Sequence, residues 1–402
     1  MNSIKRPTSG VVFLIMLLYI SLSAGAHAGE QAGADLVALL AEQWASYQEK
    51  LGVQEGGIAL YLLTPENSYF AATCMQEEVD EHIHFRGAST TKTFTAASVM
   101  YLHQEGLLNI DDFVIDTIPG TSRPYLPDTP EYDIPYKNLI TIRQLLEHRA
   151  GVFDVTNDSI PEDAAVPYAG MYYHDYVREV LGEEEHTYTF DELVEVVAVN
   201  GLSYWPPEGG FHYSNTGYAI LGKIIERVSG LTYRGFVEKT FLKPLGLRGT
   251  SFPDRGDETT LPSPYAPGFT CFDGQVYETT EDNMSLSVAE GNVITTPHEL
   301  ALWLSLLLSG RAGLAPGTVA LMTDISPTGE MHVWYGLGIT YTEGLGYGHN
   351  GAHAGYMTVA RYDPDEEVTV VVFSSLLNAE DVWGQGAFKV ELAQKARGIA
   401  GY

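Results

Sequence analysis

Cysteine is almost missing from this chain: two residues in 402, Cys74 and Cys271. They lack C-x-x-C spacing, which excludes a thiolate zinc site of the usual kind. Two isolated cysteines define no disulfide framework, although a single Cys74–Cys271 bridge stays open. Basic residues are also scarce, 22 Lys and Arg against 52 Asp and Glu, for a net charge of -30. That balance excludes phosphate-rich partners, because nucleic acid needs basic patches, and it disfavours docking on an anionic membrane. The acidity reads as a solvated surface, and Glu183-Glu184-Glu185 as a loop. Beyond the N-terminus there is no apolar run long enough to cross a bilayer. No glycine-rich phosphate loop, repeat or low-complexity tract occurs, and Ser89 lies outside any G-x-S-x-G elbow. His349/His353 and His82/His84 have no glutamate or further ligand at a convincing spacing, so neither a metal nor a cofactor is expected.

The N-terminus has the marks of a leader. Lys5 and Arg6 precede an apolar run over 11–22, and Ala26-His27-Ala28 forms an A-x-A cleavage site. No cysteine closely follows the run, so no lipid anchor is implied. The expectation is a signal peptide over 1–28, a chain starting at Gly29, and a secreted or periplasmic protein without a stable membrane anchor.

Hydrophobic periodicity places helices over 34–50, 141–147, 190–199, 218–229, 233–242, 297–309 and 385–397, with Thr296 as an N-cap. Strands are expected over 58–62, 68–72, 336–341, 357–362 and 368–374, with turns at Pro65-Glu66-Asn67 and Asp363-Pro364-Asp365. Strands gather at both ends, while the middle alternates helices with loops rich in proline, glycine and aspartate. This pattern predicts an α/β (α+β) architecture: an antiparallel sheet flanked by helices, from 29–110 and 285–402, with a mostly helical insertion over 111–284.

Ser89-Thr90-Thr91-Lys92 follows a glycine turn and opens a helical pattern that ends at Gly106. Residues at i and i+3 share a helix face, so Lys92 can reach the Ser89 hydroxyl. Serine is a weak nucleophile unless a neighbouring base takes its proton. Two further motifs follow in order: Tyr213-Ser214-Asn215 after a Pro-Pro-Glu-Gly turn, and His349-Asn350-Gly351. The ordered set S-x-x-K, Y-x-N and H-x-G resembles the serine β-lactamase and penicillin-binding protein family in its class C-like form. Leu145-Leu146-Glu147-His148-Arg149-Ala150-Gly151 and Gly291-Asn292-Val293-Ile294-Thr295-Thr296-Pro297-His298-Glu299-Leu300 resemble two further segments of it. The resemblance covers about residues 55–395. Tyr347-Gly348-His349-x-Gly351 and Thr156-Asn157-Asp158 look most like secreted D-alanyl-D-alanine carboxypeptidases.

The resemblance implies a β-lactamase/transpeptidase-like fold and a role for each motif residue. Ser89 is the nucleophile. Lys92 is its base or electrostatic activator, with a pKa lowered by burial. Tyr213 is a second base and later acid, its phenolate or a shared proton favoured by the Lys92 cation. Asn215 holds Lys92 and the substrate amide, while Ser214 is structural. His349 offers hydrogen bonds or partial positive charge, and Asn350 also faces substrate. The backbone N–H groups of Ser89 and Ala352 form the oxyanion hole, and Gly351 lets substrate come close. The implied substrate is a peptide ending in D-Ala-D-Ala, with β-lactams as inhibitors. A β-lactamase, an esterase, a D-aminopeptidase and a non-catalytic peptidoglycan-peptide binder are the alternatives. One departure stands out: such carboxypeptidases place a basic residue on the strand before the third motif. Here that stretch reads Gly336-Leu337-Gly338-Ile339-Thr340-Tyr341, leaving Thr340, Asn350 or Arg149 to compensate.

Overall fold

A computed structural model of the protein describes residues 10–75, 79–330 and 333–402, with 10–28 as backbone only. The leader expected over 1–28 therefore lies outside the residues described in full. Among the described residues no helix is long and apolar enough to cross a membrane.

An antiparallel eight-stranded sheet organises the chain. Its order is Ser68–Thr73, Ile58–Leu63, Val368–Ser374, Tyr356–Asp363, Gly346–His353, Thr340–Thr342, Trp334–Tyr335 and Ser326–Pro327. Strand alternation sends residues to two covered faces. Ile58, Leu60, Leu62, Val368, Val370 and Val372 pack with Leu36, Leu40 and Trp44 of the helix Gly10–Leu51 and with Leu392, Ala393 and Ala396 of the helix Val382–Ala400. Trp44 stacks on Tyr47, which stacks on Phe388, joining the two terminal helices. Ala59, Tyr61, Val371 and Phe373 face the opposite way, into the larger core shared with the helices Thr91–Gln104 and Pro297–Leu308. Both faces of the central strands are buried, which explains their near-continuous apolar sequence.

Between the sheet's two contributions run the helices Ile142–Leu146, Phe190–Asn200, Asn215–Ser229 and Tyr233–Val237, among long loops. Within the mostly helical middle, Phe269–Phe272 and Gln275–Glu278 form a hairpin that pairs in parallel with Leu376–Asn378. One expectation needs correction. The strand expected over 336–341 breaks at 336–339, where Gly336 N–H donates to Ile339 O across a turn. Gly338 has φ of 68°, and a Cβ there would lie 2.4 Å from that of Ala96, so the turn presses on the Ser89 helix where only glycine fits. The bridge left open between the cysteines is absent: Cys74 and Cys271 are both free.

Candidate active site

The turn before the nucleophile is built by threonine hydroxyls. Ala88 takes a left-handed φ of 49°, a conformation costing a non-glycine residue on the order of 1 kcal/mol. Hydroxyls hold the chain there: Thr90 Oγ1 donates to Gly87 O at 2.9 Å and Thr91 Oγ1 to Ala88 O at 2.8 Å. Thr91 Oγ1 also accepts from Val293 N, Thr93 Oγ1 accepts from Trp303 Nε1, and Thr95 Oγ1 donates to Ala289 O. Threonine is a poor helix former. Here each buried hydroxyl ties the helix start to the segments around it, so the regular helix begins at Thr91 and Ser89 sits in the preceding turn.

Lys92 is fully buried, and its ammonium has three acceptors. Nζ lies 2.7 Å from Asn215 Oδ1, 2.7 Å from Glu290 O and 3.2 Å from Ser89 Oγ. The Glu290 carboxylate is 3.6 Å away. Burial lowers Lys92 to about 8, with Glu290 and Asp154 pulling the other way. Burial likewise raises Glu290 to about 7, against the attraction of Lys92. Asn215 is held in turn: Nδ2 donates to Thr156 Oγ1 at 2.8 Å and its backbone N–H to Asp154 Oδ2 at 3.0 Å. Asp154 is buried and also collects the N–H groups of Thr156 and Asn157. Ser214 caps the helix Asn215–Ser229 by accepting from Gly217 N at 3.1 Å, the structural role expected of it.

Tyr213 lies with its ring centroid 4.7 Å from Lys92 Nζ and 4.2 Å from the His148 ring. Burial raises its hydroxyl well above the ordinary tyrosine range, with a hydrogen bond to Ser89 opposing. Of the two expected states, a phenolate or a shared proton, burial disfavours the phenolate and favours a neutral phenol. The segment 145–151 fixes its position. His148 takes φ of 56°, His212 N–H donates to His148 O and Glu208 N–H to Arg149 O.

Burial and the nearby Lys92 hold His349 down at about 3, so the ring is neutral and acts through hydrogen bonds. Its place in a chain of hydrogen bonds fixes every proton. Ser214 N–H donates to His148 Nδ1, which leaves the His148 proton on Nε2. That proton points at Tyr335 Oη, 3.1 Å away. His349 Nδ1 donates to Asn350 O, so its Nε2 accepts from the Tyr335 hydroxyl at 2.9 Å.

Asn350 is turned elsewhere. Its Oδ1 accepts from Arg361 Nη2 at 2.8 Å, and Arg361 also donates to Thr342 Oγ1 and Ala360 O. Only the Asn350 amide nitrogen is left to meet a ligand. Gly351 is jammed against the nucleophile turn: a Cβ would fall 2.3 Å from Gly87 O and 3.2 Å from the Ala88 Cβ. The third-motif strand, with Ala352, thus runs directly beside Ser89. Its neighbour Thr340–Thr342 pairs only with residues 346–348. Among the described strands none pairs with that edge from 349 to 353, which leaves it open to an extended ligand.

The structure therefore gathers Ser89, Lys92, Tyr213, Asn215, His349 and Gly351, and sets Asn350 partly aside. Sequence reasoning missed three members. Glu290 directly precedes the recognised Gly291-Asn292 segment but carried no signal of its own. Asp154 lies between two quoted segments. Tyr335 had no signal among 25 tyrosines.

A serine beside a buried lysine, a capped asparagine and an open strand edge defines a serine acyl-transfer site. The Beta-lactamase family profile matches residues 54–394. The chain belongs to that family of serine hydrolases. Penicillin-binding protein 4* of Bacillus subtilis (strain 168) is 28% identical over 217 residues, 54% of this chain and 40% of that protein. The match thus spans under half the length of that relative. Among solved structures, a D-stereospecific amidohydrolase from Streptomyces sp. is 26% identical with a TM-score of 0.68, covering 84% of this chain and 93% of that one. D-amino acid amidase from Ochrobactrum anthropi SV3 shares the fold at a TM-score of 0.71 and 22% identity, covering 92% of this chain and 99% of that one.

Proposed function

We propose that this protein hydrolyses amide bonds of D-amino-acid substrates through an acyl-enzyme on Ser89. The observation that carries this is the geometry of Lys92. As a neutral amine it keeps two donors for its two closest acceptors, Asn215 Oδ1 and Glu290 O at 2.7 Å each. Its lone pair is then left for the third and longest contact, the Ser89 hydroxyl at 3.2 Å. In the first step the Ser89 proton passes to Lys92 Nζ as Oγ attacks the carbonyl carbon, and the carbonyl electron pair moves onto oxygen. Backbone N–H groups of Ser89 and Ala352 serve that oxyanion. Tyr213, a neutral phenol with Lys92 against its ring, gives its proton to the departing nitrogen and is reloaded from Lys92. Water then enters by the reverse route and frees the acid.

The leaving group favoured is an amine or amide nitrogen without a carboxylate beside it. The strand Thr340–Thr342 carries no base, and Arg361 is buried on Thr342, Ala360 and Asn350. The likeness to a D-stereospecific amidohydrolase supports the same reading. Release of a terminal D-alanine is the second reading, favoured by the likeness to a penicillin-binding protein and by the Asn350 amide at the open edge. Export through the 1–28 leader belongs to this proposal as well. The test compares hydrolysis of D-phenylalanine amide with that of an N-acyl-D-Ala-D-Ala peptide, in wild type and Ser89→Ala. Faster turnover of the amide supports the first reading, and faster release of D-alanine the second. Undiminished turnover in Ser89→Ala overturns both.

A further inference from the structure

We propose that the carboxylate of Glu290 holds the ammonium proton on Lys92 and thereby sets the pH at which Ser89 becomes activated. The inference rests on the acyl-enzyme reading above and adds a residue to it.

Glu290 meets Lys92 twice, through its main-chain oxygen at 2.7 Å and its carboxylate at 3.6 Å. The three N–H donors of the ammonium are already taken by Ser89, Asn215 and that main-chain oxygen. The carboxylate therefore acts by charge. Side-chain exposure is 0% for Lys92 and 5% for Glu290, so water screens the attraction little. It is also the one carboxylate paired with Lys92 among the described residues.

The backbone is shaped to put it there. Ala289 has φ of 68°, and its carbonyl accepts from Thr95 Oγ1 at 2.6 Å on the same helix as Lys92. That turn aims both acceptor groups of the next residue at Nζ. Other groups face Lys92 from every side. Tyr213 and Tyr218 present rings at 4.7 and 5.3 Å, Asn215 an amide oxygen, and Asp154 a carboxylate acting from farther off. His148 and His349 feel the cation and stay neutral. Of the charged groups acting on Lys92, Glu290 and Asp154 favour its charged form, with Glu290 the stronger of the two.

Glu290 is a positioning residue, because it acts through Lys92. Its removal has a signed consequence. A negative neighbour at this range raises a lysine by about 1–3 pH units, so its loss makes the neutral amine available at lower pH. The experiment is the pH dependence of kcat/KM for a nitrophenyl ester, which reports the free enzyme. Wild type should lose activity as pH falls through about 8, the Lys92 value. In Glu290→Gln that acid limb should move down by about one unit or more, so that between about 8 and about 7, where Glu290 itself takes up a proton, the variant keeps severalfold more of its own plateau. Glu290→Asp, which keeps the charge on a shorter arm, should fall between the two. An acid limb unmoved in Glu290→Gln, with activity lowered equally at all pH values, overturns the proposal. Should Glu290→Gln fail to fold, Glu290→Ala and Glu290→Asp decide on the same criterion. Ser89→Ala keeps the two ideas apart. Full ester hydrolysis without Ser89 sinks the acyl-enzyme reading itself, whereas a dead Ser89→Ala beside an unmoved limb sinks only the role of Glu290.

Discussion

Replacing Tyr335 by phenylalanine should damage this site without touching Ser89 or Lys92. The Tyr335 hydroxyl receives the Nε2 proton of His148 at 3.1 Å and gives its own to His349 Nε2 at 2.9 Å. Neither histidine can adapt by changing tautomer. His148 Nδ1 is committed to Ser214 N–H, and His349 Nδ1 to Asn350 O. Tyr335→Phe therefore strands one buried donor and one buried acceptor, at about 1–3 kcal/mol each, or roughly 2–6 kcal/mol together. At about 2 °C per kcal/mol for a domain of this size, Tm should fall by about 4–12 °C. Burial keeps both rings neutral, so protonation offers no relief at neutral pH. The assay is a thermal melt with ester hydrolysis on the same sample, and kcat/KM should fall as the His349 ring loses its orientation. An unchanged Tm with unchanged kcat/KM would refute the bonded chain, because it would mean the hydroxyl joins nothing.

Two further substitutions test the frame around the nucleophile. Gly351→Ala puts a Cβ 2.3 Å from Gly87 O, so the third-motif strand must retreat from Ser89. Steady-state ester kinetics should then show kcat/KM down by about a hundredfold or more, as when one oxyanion donor is displaced. Asp154→Asn puts a competing donor in place of either Oδ1, which accepts from Thr156 and Asn157, or Oδ2, which accepts from Asn157 and Asn215. A loss of about 2–4 kcal/mol is expected, read in a denaturant titration, together with weaker anchoring of Lys92 and slower acylation.

Periodicity and motif order carried much of this architecture. The helices over 190–199 and 297–309 are nearly as expected because apolar spacing runs along both and a threonine N-cap marks the start of each. The strands at 58–62 and 368–374 are apolar on both faces, which is what a doubly covered sheet demands. The break at 336–339 was hidden because its cause is tertiary: Gly338 yields to Ala96 of a helix far away in sequence. Ser89, Lys92 and Asn215 could be read from spacing, since each lies at a fixed offset from a turn or cap. The charge states could not. Tyr213 and His349 are both neutral because of burial, and burial is set by residues remote in sequence. Glu290 was equally unreadable, because nothing local says that the turn at Ala289 aims its carboxylate at Lys92.

The central claim is that Ser89 forms the acyl-enzyme. Its most direct test is intact-mass analysis of the protein incubated with a penicillin, followed by peptide mapping. The account predicts a covalent adduct of one penicillin on Ser89, absent from Ser89→Ala and formed more slowly in Lys92→Met. A modified protein whose Ser89 peptide keeps its native mass would contradict it.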